Sequence, residues 1–482
     1  MKLSSVLCKE QFRLLICGGG TAGSAVAARF SRSLPAGQIA VVDGDPKHYY
    51  QPGYSLLGGG LIPAASIVRE KQNCLPKSTK LFGQEVEEFR PKENTIVLKD
   101  GTEIDYEFLV VATGLQTRFD LIEGAEEALK QDGSGVCSIY RFDLAQRTYL
   151  ELQKFTGGTA IFSFPNTPIK CPGAPQKICY MADEIFRKNG VRDKTRIIFN
   201  NTLGVIFEVE KYAKALMNVI EERGIELNTR DNLIKVDTKS RVATFQVVDS
   251  NRKPIDKFKE YKYDLLHIGP PCSPVESLRN AAKNGNPLTD NVGWVKVNEK
   301  SLQSTEFENV FALGDCANTT NKKTAAAVAA QLRILNDNLL AAMKGRSFSS
   351  VQYDGYASCP LILDSKHVIL SEFNHSGPLE TLPINQAKPR RLYYWITRYF
   401  LLWLYWNLWI NGRWTGPAPI RHLTGTYVGF FAKRRIATSN GSLRRQKAAS
   451  RIPTEMVTRK VVEPIKTPKP ATETQNCDVY SS

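Results

Sequence analysis

The stretch Phe12-Arg13-Leu14-Leu15-Ile16-Cys17-Gly18-Gly19-Gly20-Thr21-Ala22-Gly23, with Asp43 twenty residues past Gly23, decides the fold. Residues 12–17 are an apolar run that predicts a buried strand. Residues 24–33 predict a helix, and residues 38–42 a second strand ending at Asp43. This is a βαβ unit of about thirty residues. Gly18, Gly20 and Gly23 fit the spacing G-x-G-x-x-G. Gly18 serves the tight turn, Gly20 lets backbone approach a pyrophosphate, and Gly23 lets helix and strand pack closely. The helix N-terminus, with Thr21 and Ala22, offers free N–H groups to the anion. Asp43 suits a ribose hydroxyl pair. A dinucleotide is therefore expected at the head of the chain.

The pattern continues outward. Thr95–Leu98 and residues 107–111 read as strands around the turn Asp100-Gly101, the second leading into Ala112-Thr113-Gly114. A middle segment, 157–297, alternates by itself: strand 159–164, helix 179–188, strand 196–200, helix 212–223 and strand 263–268. Residues 309–313 form a strand that ends in Gly314-Asp315, and 323–342 form a long Ala/Leu-rich helix. A short β segment, 361–373, follows. Strings such as Val111-Ala112-Thr113-Gly114 and Phe311-Ala312-Leu313-Gly314-Asp315 resemble those of flavoproteins with two dinucleotide domains. Three such anchors in this order select FAD over NAD, and the resemblance implies that the Asp315 carboxylate holds the ribityl chain.

The second domain lacks a glycine fingerprint of its own. After its first strand comes Pro165-Asn166-Thr167-Pro168-Ile169-Lys170-Cys171-Pro172-Gly173-Ala174-Pro175. Prolines carry no amide donor for a pyrophosphate. A cysteine-bearing loop thus stands where a nicotinamide nucleotide would bind, and electrons are expected from a source other than NADH. A second cysteine, Cys359, lies in Tyr353-Asp354-Gly355-Tyr356-Ala357-Ser358-Cys359-Pro360. Cys179, eight residues past Cys171, is a rival partner. The other cysteines show no metal spacing, and no metal is expected.

Over residues 12–430 the chain resembles the sulfide:quinone oxidoreductases, specifically the mitochondrial type of animals. The resemblance rests on residues 170–177, 323–331 (Lys-Thr-Ala-Ala-Ala-Val-Ala-Ala-Gln), 353–360, His48-Tyr49-Tyr50-Gln51-Pro52 and Leu404-Tyr405-Trp406-Asn407. It implies an α/β fold with two Rossmann-like dinucleotide-binding domains of the glutathione-reductase-like FAD type. A C-terminal amphipathic membrane-binding region follows. The implied boundaries are 12–156 and 298–345 for the FAD domain, 157–297 for the second domain, 346–430 for the redox and membrane region, and 431–482 for a disordered basic tail. The implied FAD contacts are Gly18, Gly20, Thr21, Ala22, Gly23, Asp43, Gln51, Val86, Gly314, Asp315, Lys323, Ala325, Ala326, Ala327 and Val328. Relatives often carry Glu where this chain has Asp43. Cys171 and Cys359 are implied as the catalytic pair: Cys359 takes sulfur from hydrogen sulfide as a persulfide, and Cys171 leaves as a thiolate and attacks the flavin. Two electrons then reach ubiquinone, and the sulfane sulfur passes to glutathione, sulfite or coenzyme A. Lys170 and Lys177 read equally well as site groups or as ordinary surface lysines, and His48 and His267 as structural. Two other readings stay open: a type II NADH:quinone dehydrogenase, and a catalytically silent membrane scaffold that keeps FAD for structure.

Residues 392–410 are nearly half aromatic, with nine aromatic side chains in nineteen. Trp395, Tyr399, Trp403, Trp406 and Ile410 recur at helical spacing, flanked by Arg390, Arg391, Arg398 and Arg413. This predicts an interfacial, monotopic anchor, with a buried helix and a true span as alternatives. Phe400, Trp403, Tyr405 and Trp406 are the expected quinone and membrane region. The net charge is +16, and residues 433–482 carry 11 Lys and Arg against 4 Asp and Glu. With no zinc-finger spacing or aromatic RNA-binding string, a membrane surface rather than nucleic acid is the expected partner. About ten residues precede the first strand, so a transit peptide is not evident, and the mitochondrial inner membrane is expected from the resemblance alone.

Overall fold

The computed structural model describes residues 9–423. The basic tail, Cys8 and Cys477 lie outside them. Strand Glu10–Cys17 is central to a seven-stranded sheet. It pairs in parallel with Ile39–Val42 on one side and Glu103–Val111 on the other, with Leu14 opposite Ile39 and Phe108. Val310–Ala312 returns from far along the chain to pair with Glu103–Val111. Alternation along the first strand sends Leu14 and Ile16 into one apolar core and Leu15 and Cys17 into another, so the sheet is covered on both faces.

A second sheet has the order Val136–Cys137, Leu265–His267, Gly158–Phe164, Thr195–Asn201, Glu226–Thr229. Its register pairs Ile161 with Ile198 and Leu266. Val136–Cys137 belongs to this sheet, so the chain enters the second layer ahead of position 157. An antiparallel meander, Asp231–Asp237, Val242–Val248 and Pro254–Lys262, is inserted before the last parallel strand. The sequence reading missed it because its outer strand is largely exposed and charged rather than apolar.

Two helix starts differ from expectation in a way that matters for the site. The first helix is Thr21–Phe30, beginning directly on the glycine turn. The helix expected at 179 begins at Ala174, and runs to Lys188 with Gly173 before it. Pro175 is tolerated there because the first helical turn has no amide partners to lose.

The aromatic segment is helical from Arg391 to Trp409, with π-type turns at Ile396–Phe400 and Tyr405–Trp409. Leu392, Trp395, Tyr399 and Trp403 are each about half exposed on one face. Trp406 and Ile410, expected on that stripe, are buried instead. A wide turn takes an extra residue, so the stripe rotates inward past Trp403. No helix among the described residues is long and apolar enough to cross a membrane.

Candidate functional site

The carboxyl ends of the parallel strands converge on one cavity of about 800 Å³, within the usual range for small-molecule and cofactor sites, about 300–1,000 Å³. Gly18 follows the first strand with φ +105°, and a Cβ on it would lie 2.4 Å from the Ala112 carbonyl oxygen. A Cβ on Gly23 would lie 1.8 Å from the Gly18 carbonyl oxygen. These two positions therefore exclude a side chain. Gly20 has nothing within 4 Å of where its Cβ would be, and no side chain caps the helix that starts at Thr21. An open helix N-terminus above a bare glycine is a pyrophosphate cradle, and the residues present fit FAD.

Asp43 lines the cavity and accepts a hydrogen bond from the Gly19 N–H at 2.6 Å. Its other oxygen is ion-paired with Lys71, which is buried. Sequence reading missed Lys71: nothing in the string Arg69-Glu70-Lys71 marks it as an interior residue. Gln51 accepts from Lys170 Nζ at 2.9 Å. Gly314, Asp315, Lys323, Ala325, Ala326 and Val328 all line the cavity with Thr21 and Ala22. The Gly314 N–H donates to Gln331 Oε1 at 2.7 Å, which fixes the turn before Asp315. Burial pushes the Asp315 carboxyl up, while the Lys323 and Lys170 charges pull it down. Burial also lowers the Lys323 ammonium. That group donates to the Ala317 carbonyl at 2.6 Å and sits 4.4 Å from the Trp294 ring centroid.

Three expected contacts stand off the cavity: Gly23, which packs against the Gly18 carbonyl, Val86 and Ala327. Val86 starts the strand Val86–Arg90 and packs at the edge of the second core. Ala327 is buried in the apolar core, and its N–H is capped by Thr324 Oγ1 at 3.2 Å.

Cys171 and Cys359 are brought together, Sγ to Sγ 3.7 Å, on the wall of the same cavity. Both are free thiols. Cys171 has φ +48°, a left-handed backbone that a non-glycine residue adopts only when its surroundings hold it. The holding contacts are its N–H on the Lys323 carbonyl at 2.7 Å and the Ala174 N–H on its own carbonyl at 2.8 Å. Tyr140 OH also reaches that carbonyl, at 3.5 Å. Cys359 is buried in the strand Ala357–Ile362 opposite Ser371, whose hydroxyl donates to the Cys359 carbonyl at 2.6 Å. A Cβ on Gly173 would come within 2.6 Å of Cys359 Sγ, so only glycine lets loop and strand meet here.

Lys177, one helical turn into Ala174–Lys188, is buried and donates to Cys171 Sγ at 3.2 Å. It is not a surface lysine; its place became legible only with the early helix start. The Cys359 thiol, then the Lys177 ammonium, hold the Cys171 thiol well below its ordinary value, against burial. Its partner Cys359 is pushed up, by the bond to Cys171 first and burial second. Burial raises the other six described cysteines, Cys179 among them. Cys179 lies in the core and not on the cavity.

The cavity's far wall is the aromatic helix, including Ile396, Phe400 and Trp409, with the half-exposed Leu392 and Trp395 at its rim. Of the four residues expected in the quinone region, Phe400 lines the cavity and Trp403 faces outward. Tyr405 and Trp406 point into the protein. Tyr405 OH bonds His48 Nε2 at 2.7 Å and Thr21 Oγ1 at 2.8 Å. Trp406 Nε1 donates to the Ser66 carbonyl at 2.9 Å, and Arg69 lies over its ring. Burial lowers His48 to about 4, so the imidazole is a neutral hydrogen-bonding strut.

Comparison with known proteins bears on the same features. The model of the pyridine nucleotide-disulphide oxidoreductase family matches residues 12–150. The mitochondrial sulfide:quinone oxidoreductase of Mus musculus is 39% identical over 416 residues, 86% of this chain and 90% of that protein. Its Dictyostelium discoideum counterpart is 36% identical over 412 residues, 85% and 88% of the two chains. The crystal structure of the sulfide:quinone oxidoreductase from Aquifex aeolicus superposes with a TM-score of 0.68 at 18% identity, over 83% of this chain and 92% of that one, a likeness of fold. With a glycine cradle, a dithiol on its wall and relatives matched over nearly their whole length, the chain belongs to the sulfide:quinone oxidoreductase family.

Proposed function

We propose that this chain oxidises hydrogen sulfide, delivers two electrons to ubiquinone and passes the sulfane sulfur to a small acceptor. The observation that carries the reading is the Cys171–Cys359 pair on the wall of the cavity that also holds the glycine cradle. FAD, when bound, takes up the electron pair and passes it to quinone. The residues in named roles do the rest. In the oxidised enzyme Cys171 and Cys359 are joined as a disulfide. Hydrosulfide attacks the Cys359 sulfur, the S–S bond breaks, and Cys171 departs as the thiolate. Exchange favours that direction because the thiol with the lower pKa is the better leaving group. Lys177 holds the departing negative charge, and Cys359 retains the incoming sulfur as a persulfide. A thiol such as glutathione or coenzyme A, or sulfite, then removes that sulfur, and loss of an electron pair restores the disulfide. With a thiol acceptor the net change is hydrogen sulfide, thiol and quinone to thiol persulfide and quinol.

The apolar wall from Leu392 to Phe400 supports a lipid-side entrance for quinone. The exposed stripe Leu392, Trp395, Tyr399 and Trp403 supports monotopic contact with a membrane, which we assign to the mitochondrial inner membrane. Anaerobic sulfide added to the purified flavoprotein together with a sulfur acceptor, sulfite or glutathione, is expected to bleach the flavin, and a soluble quinone to restore it. Cys171→Ser and Cys359→Ser abolish both changes. Bleaching by NADH and not by sulfide would instead establish the NADH:quinone dehydrogenase reading. Full activity of both serine variants would leave the dithiol without a catalytic role.

A further inference from the structure

A second cavity, of 510 Å³, opens away from the redox site, and the two have no lining residue in common. It lies where the end of Thr21–Phe30, the middle of Ala325–Met343 and the loop 411–419 meet. Four arginines line it: Arg29, Arg32, Arg333 and Arg413. Among the described residues none of the four makes an ion pair. Asp337 is the single carboxylate on the lining, and it is exposed. The loop is pressed onto the first helix, since a Cβ on Gly412 would lie 2.7 Å from the Ala25 carbonyl oxygen. Arg32 helps seat it by donating to the carbonyls of Asn411 and Gly412. Burial, then the charges of Arg413 and Arg29, disfavour the Arg32 guanidinium.

Four arginines against one carboxylate leave the lining with a net positive charge, which suits an external anion. A second observation points the same way. Asn336 lines the cavity, is 6% exposed, and its amide makes no hydrogen bond among the described residues, so its NH₂ is free to donate to an acceptor in the cavity. Planar guanidinium forks match the oxygens of a phosphoryl group in bidentate fashion.

We propose that Arg29, Arg32, Arg333 and Arg413, with Asn336, form a binding site for a phosphate-class oxyanion. Its position favours an anionic phospholipid headgroup over soluble phosphate. The loop leaves directly from the helix that exposes Trp395 and Trp403, and it leads to Ile420 and Leu423, which are exposed as well. The headgroup source extends the membrane reading above; the site itself does not depend on the redox reading, and its test reads no turnover.

The test uses the full, FAD-loaded chain, so the pyrophosphate cradle is filled. Arg29→Gln/Arg413→Gln removes two charges and leaves the hold of Arg32 on the loop intact. Lys92→Gln/Lys257→Gln, at two exposed lysines elsewhere, removes the same charge. Binding is measured to phosphatidylcholine vesicles with and without phosphatidylglycerol, and separately to inorganic phosphate by calorimetry. Each basic group at an anionic surface is worth about a fivefold change, so the arginine variant is expected to bind phosphatidylglycerol vesicles about thirtyfold more weakly. The lysine control should lose much less. A loss confined to inorganic phosphate would support the site with a soluble ligand. An equal loss in both variants, or no loss in either arm, overturns it. If the double variant does not retain flavin, Arg333→Gln alone serves, with the same control.

Discussion

The strongest test of the dithiol reasoning is removal of a single positive charge. In Lys177→Gln the ammonium that donates to Cys171 Sγ at 3.2 Å is replaced by a neutral amide one bond shorter. The ammonium favours the charged form of Cys171, so its loss must raise the pH at which the thiolate appears. A hydrogen bond to a charged group contributes about 1.5–3 kcal/mol. One pH unit of titration corresponds to about 1.4 kcal/mol, so the midpoint should climb by about 1–2 units. The Cys359 thiol still donates to Cys171 in the variant, which keeps the midpoint below that of an ordinary cysteine. The assay is alkylation of the anaerobically reduced protein by iodoacetamide over a series of pH values, with Cys171 quantified by mass spectrometry. Wild type should react at a rate set by a depressed midpoint, and the variant should need higher pH for the same rate. Lys177→Arg keeps the charge and controls for lost packing at a buried position. A Lys177→Gln midpoint indistinguishable from wild type would refute the argument that Lys177 makes Cys171 the leaving group.

Other consequences are simpler to read. Gly18→Ala, with φ +105° and a Cβ 2.4 Å from the Ala112 carbonyl, should purify largely without flavin, as measured by the flavin-to-protein absorbance ratio. Gly173→Ala drives a methyl into Cys359 Sγ and Leu361; overpacking of this kind costs about 1–3 kcal/mol, and a urea melt at wild-type midpoint would contradict it. Tyr399→Ser/Trp403→Ser should release the protein from vesicles while sparing sulfide-dependent flavin bleaching, checked by flotation and by absorbance. Tyr405→Phe should do the reverse: membrane binding is kept, and stability falls by about 1–2 kcal/mol as His48 and Thr21 lose their shared partner.

Local chemistry made part of this molecule legible in advance. A glycine that tolerates no Cβ announces itself by spacing, and a proline-rich loop in a nucleotide position announces what it cannot bind. Cys171 and Cys359 could be paired from their flanking strings, but their separation of 3.7 Å is a property of two sheets and a hairpin that no local window contains. The start of the helix at Ala174 was hidden because Gly173-Ala174-Pro175 reads as loop, and with it the role of Lys177. Lys71 reads as a surface charge until the fold turns it onto Asp43. Trp406 was assigned to the outer stripe by a constant helical period, which the π-type turn at Tyr405–Trp409 breaks.

That same turn decides which residues of this helix can be changed without opening the site. The helix from Arg391 to Trp409 is not an appendage fastened to a finished enzyme. Its inner side closes the redox cavity, and Tyr405 is tied to Thr21, the first residue of the helix above the pyrophosphate cradle. Cutting the chain ahead of Arg391 would unroof the cavity and free the cradle together. Polar substitutions on this helix must instead be confined to Tyr399 and Trp403, which are exposed and do not line the cavity, while the rest of the helix is left in place.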